Sequence, residues 1–270
     1  MEPKPLNGLT IIEIGNTEAE GMATLLLSDY GAKVIRLELP QEDAGEAGRG
    51  FRLCDRGKTR ILFRPDVRAD QEWLRSFLPE TAALVTSVPA ARMADWGLEA
   101  AALCREYPRL VYASVTGYGE TGPFGQGRPW NEASVQAESG FMSITGTEQG
   151  EPLRCGGDFA AFSGAASVCI AVLIALIDAA RSGCGRRIDV SWMDSLLYGL
   201  ENQFSIYLQS GRVPKPMGNH YALSAPVGDY LCRDGKKIMI SVATQMQWEH
   251  FACALGHPEW LDKPEYQSIG

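Results

Sequence analysis

Short β-branched segments alternate with helical segments along the first half of this chain, and that alternation limits the possible folds more than any other feature. Residues 9–14 read as a strand, residues 19–30 as a helix that Gly31 ends, and residues 33–38 as the next strand. A strand, a helix and a strand within about 30 residues form a βαβ unit, whose strands are parallel and whose crossover is right-handed. The sequence therefore predicts an open, mostly parallel sheet with helices on both faces.

The alternation continues further along the chain. Three more strands are predicted at 60–63, 82–85 and 110–115, with helices between them at 70–78 and 98–107. A glycine- and proline-rich loop over residues 117–129 follows, and long loops after a strand often carry function. The remaining elements predicted for the same domain are helices at 131–139, 162–181 and 193–209 and a strand at 187–190.

The pattern becomes antiparallel after residue 210. Segments 228–232 and 237–242 flank Arg233-Asp234-Gly235, and an Asp-Gly turn between two apolar runs is typical of a β-hairpin. We therefore predict an α/β chain with a large domain over residues 1–210, a linker over 211–224 and a small α+β domain over 225–270. We expect that small domain to be incomplete.

Charge and cysteine usage disfavour several classes of protein. The net charge is −8, which argues against general nucleic-acid binding because that affinity comes mainly from neutralising phosphates. Seven cysteines without a CxxC pair indicate reduced thiols in a cytoplasmic protein. The N-terminus lacks a signal-peptide profile, and the longest apolar run, residues 165–177, is too short to span a bilayer. The three histidines have no metal-ligand spacing, so we expect no metal.

Local motifs alone do not identify a chemistry. The turn after the first predicted strand, residues 15–19, reads GNTEA and lacks the GxGxxG fingerprint of dinucleotide-binding proteins. The sequence contains neither a Walker phosphate loop nor a GxSxG nucleophile motif. These observations leave an α/β chain with a glycine-rich functional loop.

Nine segments, in the same order along nearly the whole chain, resemble class III CoA-transferases, which are also called the CaiB/BaiF family and include formyl-CoA transferase-like proteins. The segments are LNGLTIIE at 6–13, GAKVIRLE at 31–38, PRLVYASVTGYG at 108–119, TGP at 121–123, QA at 136–137, SG at 139–140, TG at 145–146, SGCGRRIDV at 182–190 and AP at 225–226. Each match is weak alone, and together they are specific.

The resemblance implies a Rossmann-like large domain, a small domain and an interlocked dimer. Members of the family are usually longer than this chain, so we expect either a fragment or a divergent subunit that completes its fold with another chain. The partner would then be a second copy or a related subunit. The implied reaction moves coenzyme A between carboxylic acids, with CoA as a substrate and no permanently bound cofactor.

The family's nucleophile is an aspartate that attacks an acyl-CoA thioester to form a mixed anhydride, then an aspartyl-CoA thioester that the incoming acid displaces. It precedes a long apolar helix, which makes Asp158 the candidate, because no other acidic residue lies between positions 151 and 178. Gly156 and Gly157 can supply backbone N–H groups to an oxyanion. An ungapped match places Ala160 or Ala161 at the nucleophile position instead, and Asp158 would then simply cap the helix.

Two neighbouring residues bear on the type of reaction. The racemase branch of the family uses a histidine whose position is held here by Asn131, which does not accept a proton at neutral pH, so racemisation is less favoured. Glu132 falls where transferases carry an acidic residue, and it either orients substrate or caps a helix. Two hypotheses stand ahead of a racemase: an active transferase for small or medium acids, and a non-catalytic or partner-dependent subunit.

Coenzyme A carries a 3′-phosphate and a pyrophosphate, so cations should line its groove. Lys58 matches a family position at the CoA site, Arg36 and Arg92 are candidate neighbours, and Arg128 is placed on the pantetheine side. Glu18 stands where the family often has a glutamine against CoA. Each of these charges, taken alone, is also explained as a solvated surface charge.

Overall fold

The computed structural model describes residues 4–40, 53–125, 127–221 and 223–266. Within these residues, six strands form one sheet: β1 (Thr10–Ile14), β2 (Lys33–Glu38), β3 (Thr59–Leu62), β4 (Ala83–Thr86), β5 (Val111–Thr116) and β6 (Arg187–Ser191). The strand order is β3-β2-β1-β4-β5-β6, and every neighbouring pair is parallel. The predicted parallel sheet is confirmed.

The central strands are buried because their sequences are apolar on both sides of the pleat. All four residues of β4 and all six of β5 are buried. In β1 the side chains alternate, since Ile11 packs into one core while Ile12 and Ile14 pack into the other. Near-continuous apolar strands of this kind are typical of parallel sheets that are covered on both faces.

Helices cover both faces of the sheet. The α-helices in the described residues are α1 (Glu18–Asp29), α2 (Arg68–Phe77), α3 (Ala90–Asp95), α4 (Ala100–Glu106), α5 (Glu132–Glu138), α6 (Phe141–Ile144), α7 (Phe159–Ser182), α8 (Trp192–Tyr198), α9 (Glu201–Ser210) and α10 (Gln245–Ala254). One core contains side chains of α1, α5, α7 and α8. The other contains side chains of α2, α3 and α4.

Two departures from the predicted elements have local causes. The single helix predicted over 193–209 is divided into α8 and α9, with Gly199 and Leu200 between them, and glycine is a poor helix former. The short helix α3, which follows Pro89, was not predicted because six residues are too few to show a helical period.

Helix α7 has 24 residues and extends the predicted helix 162–181 at both ends. By length and composition alone it is apolar enough to cross a membrane, although the predicted apolar run 165–177 was too short. One face packs against α1, β5 and α8. The opposite face leaves Ile170, Ile174 and Ile177 exposed.

The chain divides into two compact units. The first comprises Met1–Phe141 and Cys155–Ser205, and the second comprises Met142–Arg154 and Ile206–Gly270. The second unit contains the predicted hairpin, whose strands β7 (Val227–Leu231) and β8 (Lys237–Ser241) pair antiparallel. The division falls a few residues before the predicted boundary at 210, and the segment 142–154 was not predicted to belong to the second unit.

Candidate functional site

The strand order of the sheet reverses between β1 and β4, and ligands of open α/β sheets bind outside the carboxyl ends of the strands at this point. The loop that follows β1 and the loop that follows β4 are in close contact there. A Cβ atom added to Gly15, in the first loop, would lie only 2.2 Å from Oγ of Ser87, in the second. The buried Glu20 carboxylate accepts the Thr17 N–H at 2.7 Å and also the Thr17 hydroxyl, which closes a capping box on α1. Glu18, the predicted CoA contact, is the half-buried first residue of α1.

Two of the predicted CoA-binding cations lie in a buried ion cluster that comprises Glu13, Arg36, Asp55 and Lys58. Lys58 Nζ lies 2.6 Å from Glu13 Oε2, and Arg36 pairs with Asp55 while its Nε lies 3.6 Å from Glu13 Oε1. Side-chain exposure is 3% for Arg36 and 0% for the other three. Two carboxylates and two cations balance one another, which is the arrangement that burial of charge requires.

The ammonium group of Lys58 has three acceptors, of which one belongs to this cluster and two belong to α1. Besides Glu13, it donates to the Gly21 carbonyl at 2.8 Å and to Thr24 Oγ1 at 2.7 Å. A lysine has three N–H donors, so a phosphate would have to replace one of these acceptors. The role in CoA binding proposed for Arg36 and Lys58 stays a prediction, and the contacts seen for both are internal.

The other two predicted cations are exposed. Arg128 pairs with Glu138, and its guanidinium carbon lies 5.1 Å from the ring centroid of Tyr118 and 4.7 Å from that of Phe124. Arg92 lies on α3, with its guanidinium carbon 5.6 Å from the Trp96 ring centroid. An exposed arginine beside an aromatic ring keeps its charge in solvent while its guanidinium interacts with the face of the ring.

Arg128 lines a cavity of about 300 Å³ at the carboxyl ends of β4 and β5. The other walls are the start of α3, the residues that follow β5 and the glycine-rich loop. Two of the lining residues, Thr116 and Tyr118, are each 5% exposed and carry hydroxyls that have no hydrogen-bond partner within the described part of the chain. The loop after β5 is anchored from β6, because both Asp189 carboxylate oxygens accept the Glu120 N–H, at 3.0 and 3.1 Å.

Asn131 and Glu132 lie at the start of α5 and both cap helices. Asn131 Oδ1 accepts the Ser134 N–H at 2.9 Å, which caps α5 itself. Glu132 reaches the next long helix, since its Oε1 accepts the Ala160 N–H at 2.8 Å and its Oε2 the Ala161 N–H at 3.0 Å. A carboxylate at the N-terminus of α7 also interacts favourably with the helix dipole. Of the two alternatives for Glu132, these contacts match helix capping.

Asp158 occupies the N-cap position of α7 but does not cap it with its side chain. The residue is exposed, and within the described part of the chain no donor reaches its carboxylate. The preceding Gly156 is exposed and Gly157 is half-buried. This arrangement leaves a free carboxylate beside a glycine backbone, as an attacking oxygen requires.

Nearly the whole chain matches one protein family, since residues 6–270 fit CoA-transferase family III. The chain belongs to CoA-transferase family III. It is 31% identical to the succinate–glutarate CoA-transferase of Agrobacterium fabrum, over 97% of this chain and 69% of that enzyme. It is 29% identical to the alpha subunit of the succinyl-CoA–L-malate CoA-transferase of Chloroflexus aurantiacus, over 98% of this chain and 64% of that subunit.

A solved structure agrees with this family assignment. The chain superposes on a CaiB/BaiF family protein from Brucella suis with a TM-score of 0.80 and 28% identity, covering 99% of this chain and 74% of that one. The family III chain therefore spans roughly two thirds to three quarters of the length of these relatives. In the described residues of this family III protein, no group of three or more His, Cys, Asp or Glu side chains is arranged to hold a metal.

Sequence reasoning missed one buried residue beside the candidate nucleophile of this family III protein. Gln136 is 0% exposed, donates from Nε2 to Glu132 Oε1 at 2.7 Å and to the Gly157 carbonyl at 3.3 Å, and accepts the Cys155 N–H on Oε1 at 2.9 Å. The sequence did contain one signal for Gln136. It lies four residues after Glu132 on a predicted helix, and residues i and i+4 are neighbours on a helix face.

The second unit has its own cavity of about 770 Å³, and it contains none of the predicted site residues. Six of its thirteen lining residues are aromatic, and they include Tyr221, Tyr230, Trp248, Trp260 and Tyr266. All the predicted site residues lie in the first unit, and Asp158 among them lies at the start of α7.

Proposed function

We propose that this chain transfers coenzyme A between carboxylic acids, with Asp158 as the nucleophile. The observation that carries the proposal is the exposed Asp158 carboxylate, which no donor reaches within the described residues and which follows two glycines at the start of α7. Membership of family III and relatives named as CoA-transferases support the reaction type.

In the proposed reaction, an Asp158 oxygen attacks the carbonyl carbon of an acyl-CoA thioester. The C–S bond breaks, CoA leaves as a thiolate and a mixed anhydride remains on the enzyme. The thiolate then attacks the Asp158 carbonyl, which releases the donor acid and leaves an aspartyl-CoA thioester. The acceptor carboxylate attacks that thioester and forms a second anhydride, from which the thiolate takes the new acyl group and frees Asp158. The Gly156 and Gly157 backbone N–H groups are candidate donors to the oxyanions.

The cavity lined by Arg128 is the proposed place for the CoA arm. It lies at the carboxyl ends of β4 and β5, and it is lined by Thr116 and Tyr118, whose buried hydroxyls have no hydrogen-bond partner within the described residues. CoA binds there as a substrate, without a permanently held cofactor. The relatives named for succinate, glutarate and malate support small or medium acids as acceptors.

The assembly that we propose is a dimer of this chain or a heteromer with a related subunit. Relatives that are named as alpha and beta subunits of one CoA-transferase support the heteromer. Seven cysteines that form no disulfide support the reducing environment of the cytoplasm.

Trapping of the anhydride tests the proposed reaction. The protein is incubated with succinyl-CoA, acetyl-CoA and glutaryl-CoA, treated with hydroxylamine and digested, and the peptide that contains Asp158 is searched for a hydroxamate by mass spectrometry. We expect the modification in the wild-type protein and none in Asp158→Asn. A folded protein that binds CoA but never gives the hydroxamate would contradict the assignment of Asp158.

One observation favours a second candidate, a non-catalytic or partner-dependent family member. Ala160 and Ala161 stand where an ungapped match expects the nucleophile, and Glu132 occupies the N–H groups of both. This candidate predicts CoA binding without hydroxamate, or hydroxamate only after a related subunit is added. Racemisation has less support, since Asn131 is engaged in the capping box of α5.

A further inference from the structure

Asp158 is held on both sides by one face of α5. Before it, Gln136 Nε2 donates to the Gly157 carbonyl and Gln136 Oε1 accepts the Cys155 N–H. After it, Glu132 accepts the Ala160 and Ala161 N–H groups. We call the pair Glu132 and Gln136 the α5 clamp.

The two clamp side chains also fix each other. Gln136 Nε2 donates to Glu132 Oε1 at 2.7 Å, so the carboxylate receives three hydrogen bonds from the described residues. Gln136 is 0% exposed, and the two ends of its amide contact two residues of the same loop, Gly157 and Cys155. A buried amide with its donor and acceptor both satisfied holds its neighbours in one geometry, because any shift would leave a polar group unpaired.

Asp158 itself has no anchor of this kind. Its carboxylate meets no donor in the described residues, and its backbone has φ −87° and ψ 62°, outside the helical region. The direction of its side chain therefore depends on the backbone at Gly157 and Ala160. Two glycines before it would leave that backbone free to move if nothing held them.

We propose that Gln136 is a positioning residue, which fixes the loop 155–157 and thereby aims the Asp158 carboxylate at the thioester. This inference rests on the function proposed above. It extends that function from the nucleophile to the side chain that sets the nucleophile's direction. Misplacing a reacting group by about 1 Å can cost about 100-fold in rate, so loss of the clamp should be seen mainly in the chemical step.

The test replaces Gln136 with methionine, which has a similar length and shape but makes no hydrogen bond of this kind. The matched control is Gln209→Met, the same substitution at an exposed position of α9. The rate of hydroxamate formation on Asp158 is measured against acyl-CoA concentration. We expect Gln136→Met to lower the maximal rate about 10- to 100-fold, with the concentration dependence unchanged within about twofold. Gln209→Met should match the wild-type protein.

A second readout does not depend on activity. Arg154 is exposed and directly precedes the clamped loop, so the rate of tryptic cleavage after Arg154 reports how often the loop opens. We expect Gln136→Met to raise this rate several-fold, relative to cleavage after the exposed Arg68. If Gln136→Met does not fold, Gln136→Asn replaces it in the test, because asparagine keeps the amide on a side chain that is one methylene shorter. We then expect a smaller loss of hydroxamate rate and a smaller rise in cleavage rate.

The outcomes separate the two proposals. A folded Gln136→Met protein with normal hydroxamate formation would overturn the positioning role, and so would a loss seen only as weaker acyl-CoA binding. If the wild-type protein forms no hydroxamate, the proposed function fails, and the role of Gln136 toward Asp158 fails with it. In that case the cleavage rate still decides whether Gln136 holds the loop.

Discussion

The four cations predicted to bind CoA divide into a buried pair and an exposed pair. Arg36 and Lys58 lie in the buried ion cluster, where each is matched by a carboxylate from another element. Arg92 and Arg128 lie at the surface, beside aromatic rings. Residues of the same charge therefore have different uses. The buried pair joins β1, β2, α1 and the segment after residue 53, whereas the exposed pair lies at the surface, where a ligand could reach it.

The largest expected effect is at Lys58. Replacing it with methionine leaves the buried Glu13 carboxylate without its ammonium partner, and removing one member of a buried ion pair costs about 3–5 kcal/mol. We expect a loss of that size in the free energy of unfolding, measured by urea denaturation followed by circular dichroism.

Arg56→Met is the matched control for this prediction. Arg56 lies in the same segment and pairs with Asp29 at 2.6 Å, but the two side chains are 59% and 44% exposed. Exposed pairs contribute about 0–1 kcal/mol, so the control should change stability little. If Lys58→Met keeps normal stability but loses CoA affinity, Lys58 serves ligand binding rather than stability. The distinction drawn here between the buried and the exposed cations would then be wrong.

Arg128 should show the reverse behaviour. We expect Arg128→Ala to weaken CoA binding about 10- to 100-fold, since a charged hydrogen bond contributes about 1.5–3 kcal/mol. Unfolding should change by less than about 1 kcal/mol, because the residue is exposed. Calorimetric titration with CoA at two salt concentrations measures the effect, with Arg68→Ala on α2 as the control. An unchanged dissociation constant would remove Arg128 from the CoA site.

The sheet could be predicted from the sequence, but the division of the cations could not. A strand such as β2 can be predicted from a short local run of apolar and β-branched residues. The predicted bounds of β2, 33–38, are those observed. The contact between Lys58 and Glu13 joins residues 45 positions apart. No local sequence pattern predicts a contact between residues so far apart in the chain, because the ion cluster forms only when β1, β2 and α1 pack together.

The same limit applies to the candidate active site. The glycine pair and the long helix after Asp158 were visible in the sequence, so the candidate nucleophile could be predicted. The contact of Glu132 with Ala160 spans 28 positions and appears only when α5 packs against α7. When a side chain from one helix caps another helix, the residues involved are far apart in the sequence and form no recognisable motif. The capping box of Asn131 and Ser134 is local and can be recognised.

Two cysteines extend the comparison of buried and exposed groups to thiols. Cys169 on α7 is 8% exposed, and burial raises the pKa of its thiol, whereas Cys184 is exposed. The thiolate is the form that alkylates, so iodoacetamide at pH 8 should modify Cys184 at least about tenfold faster than Cys169. Timed alkylation with peptide mass spectrometry measures both rates in one sample. Equal rates would mean that α7 readily opens from the sheet.

Asp189 gives the smallest expected effect, because its side chain remains partly in water. Burial raises the pKa of its carboxyl above the ordinary value of 3.8, although the Glu120 N–H acts in the opposite direction. A carboxyl whose pKa is higher in the folded protein stabilises the fold below its unfolded pKa, and this contribution is lost as the pH rises through the folded pKa. The unfolding free energy of the wild-type protein, relative to Asp189→Asn, should therefore increase as the pH falls toward 3.8. Urea denaturation of both proteins between about pH 4 and pH 7 measures the difference. A difference that stays constant with pH would mean that the hydrogen bonds from Glu120 offset the partial desolvation of the Asp189 carboxylate.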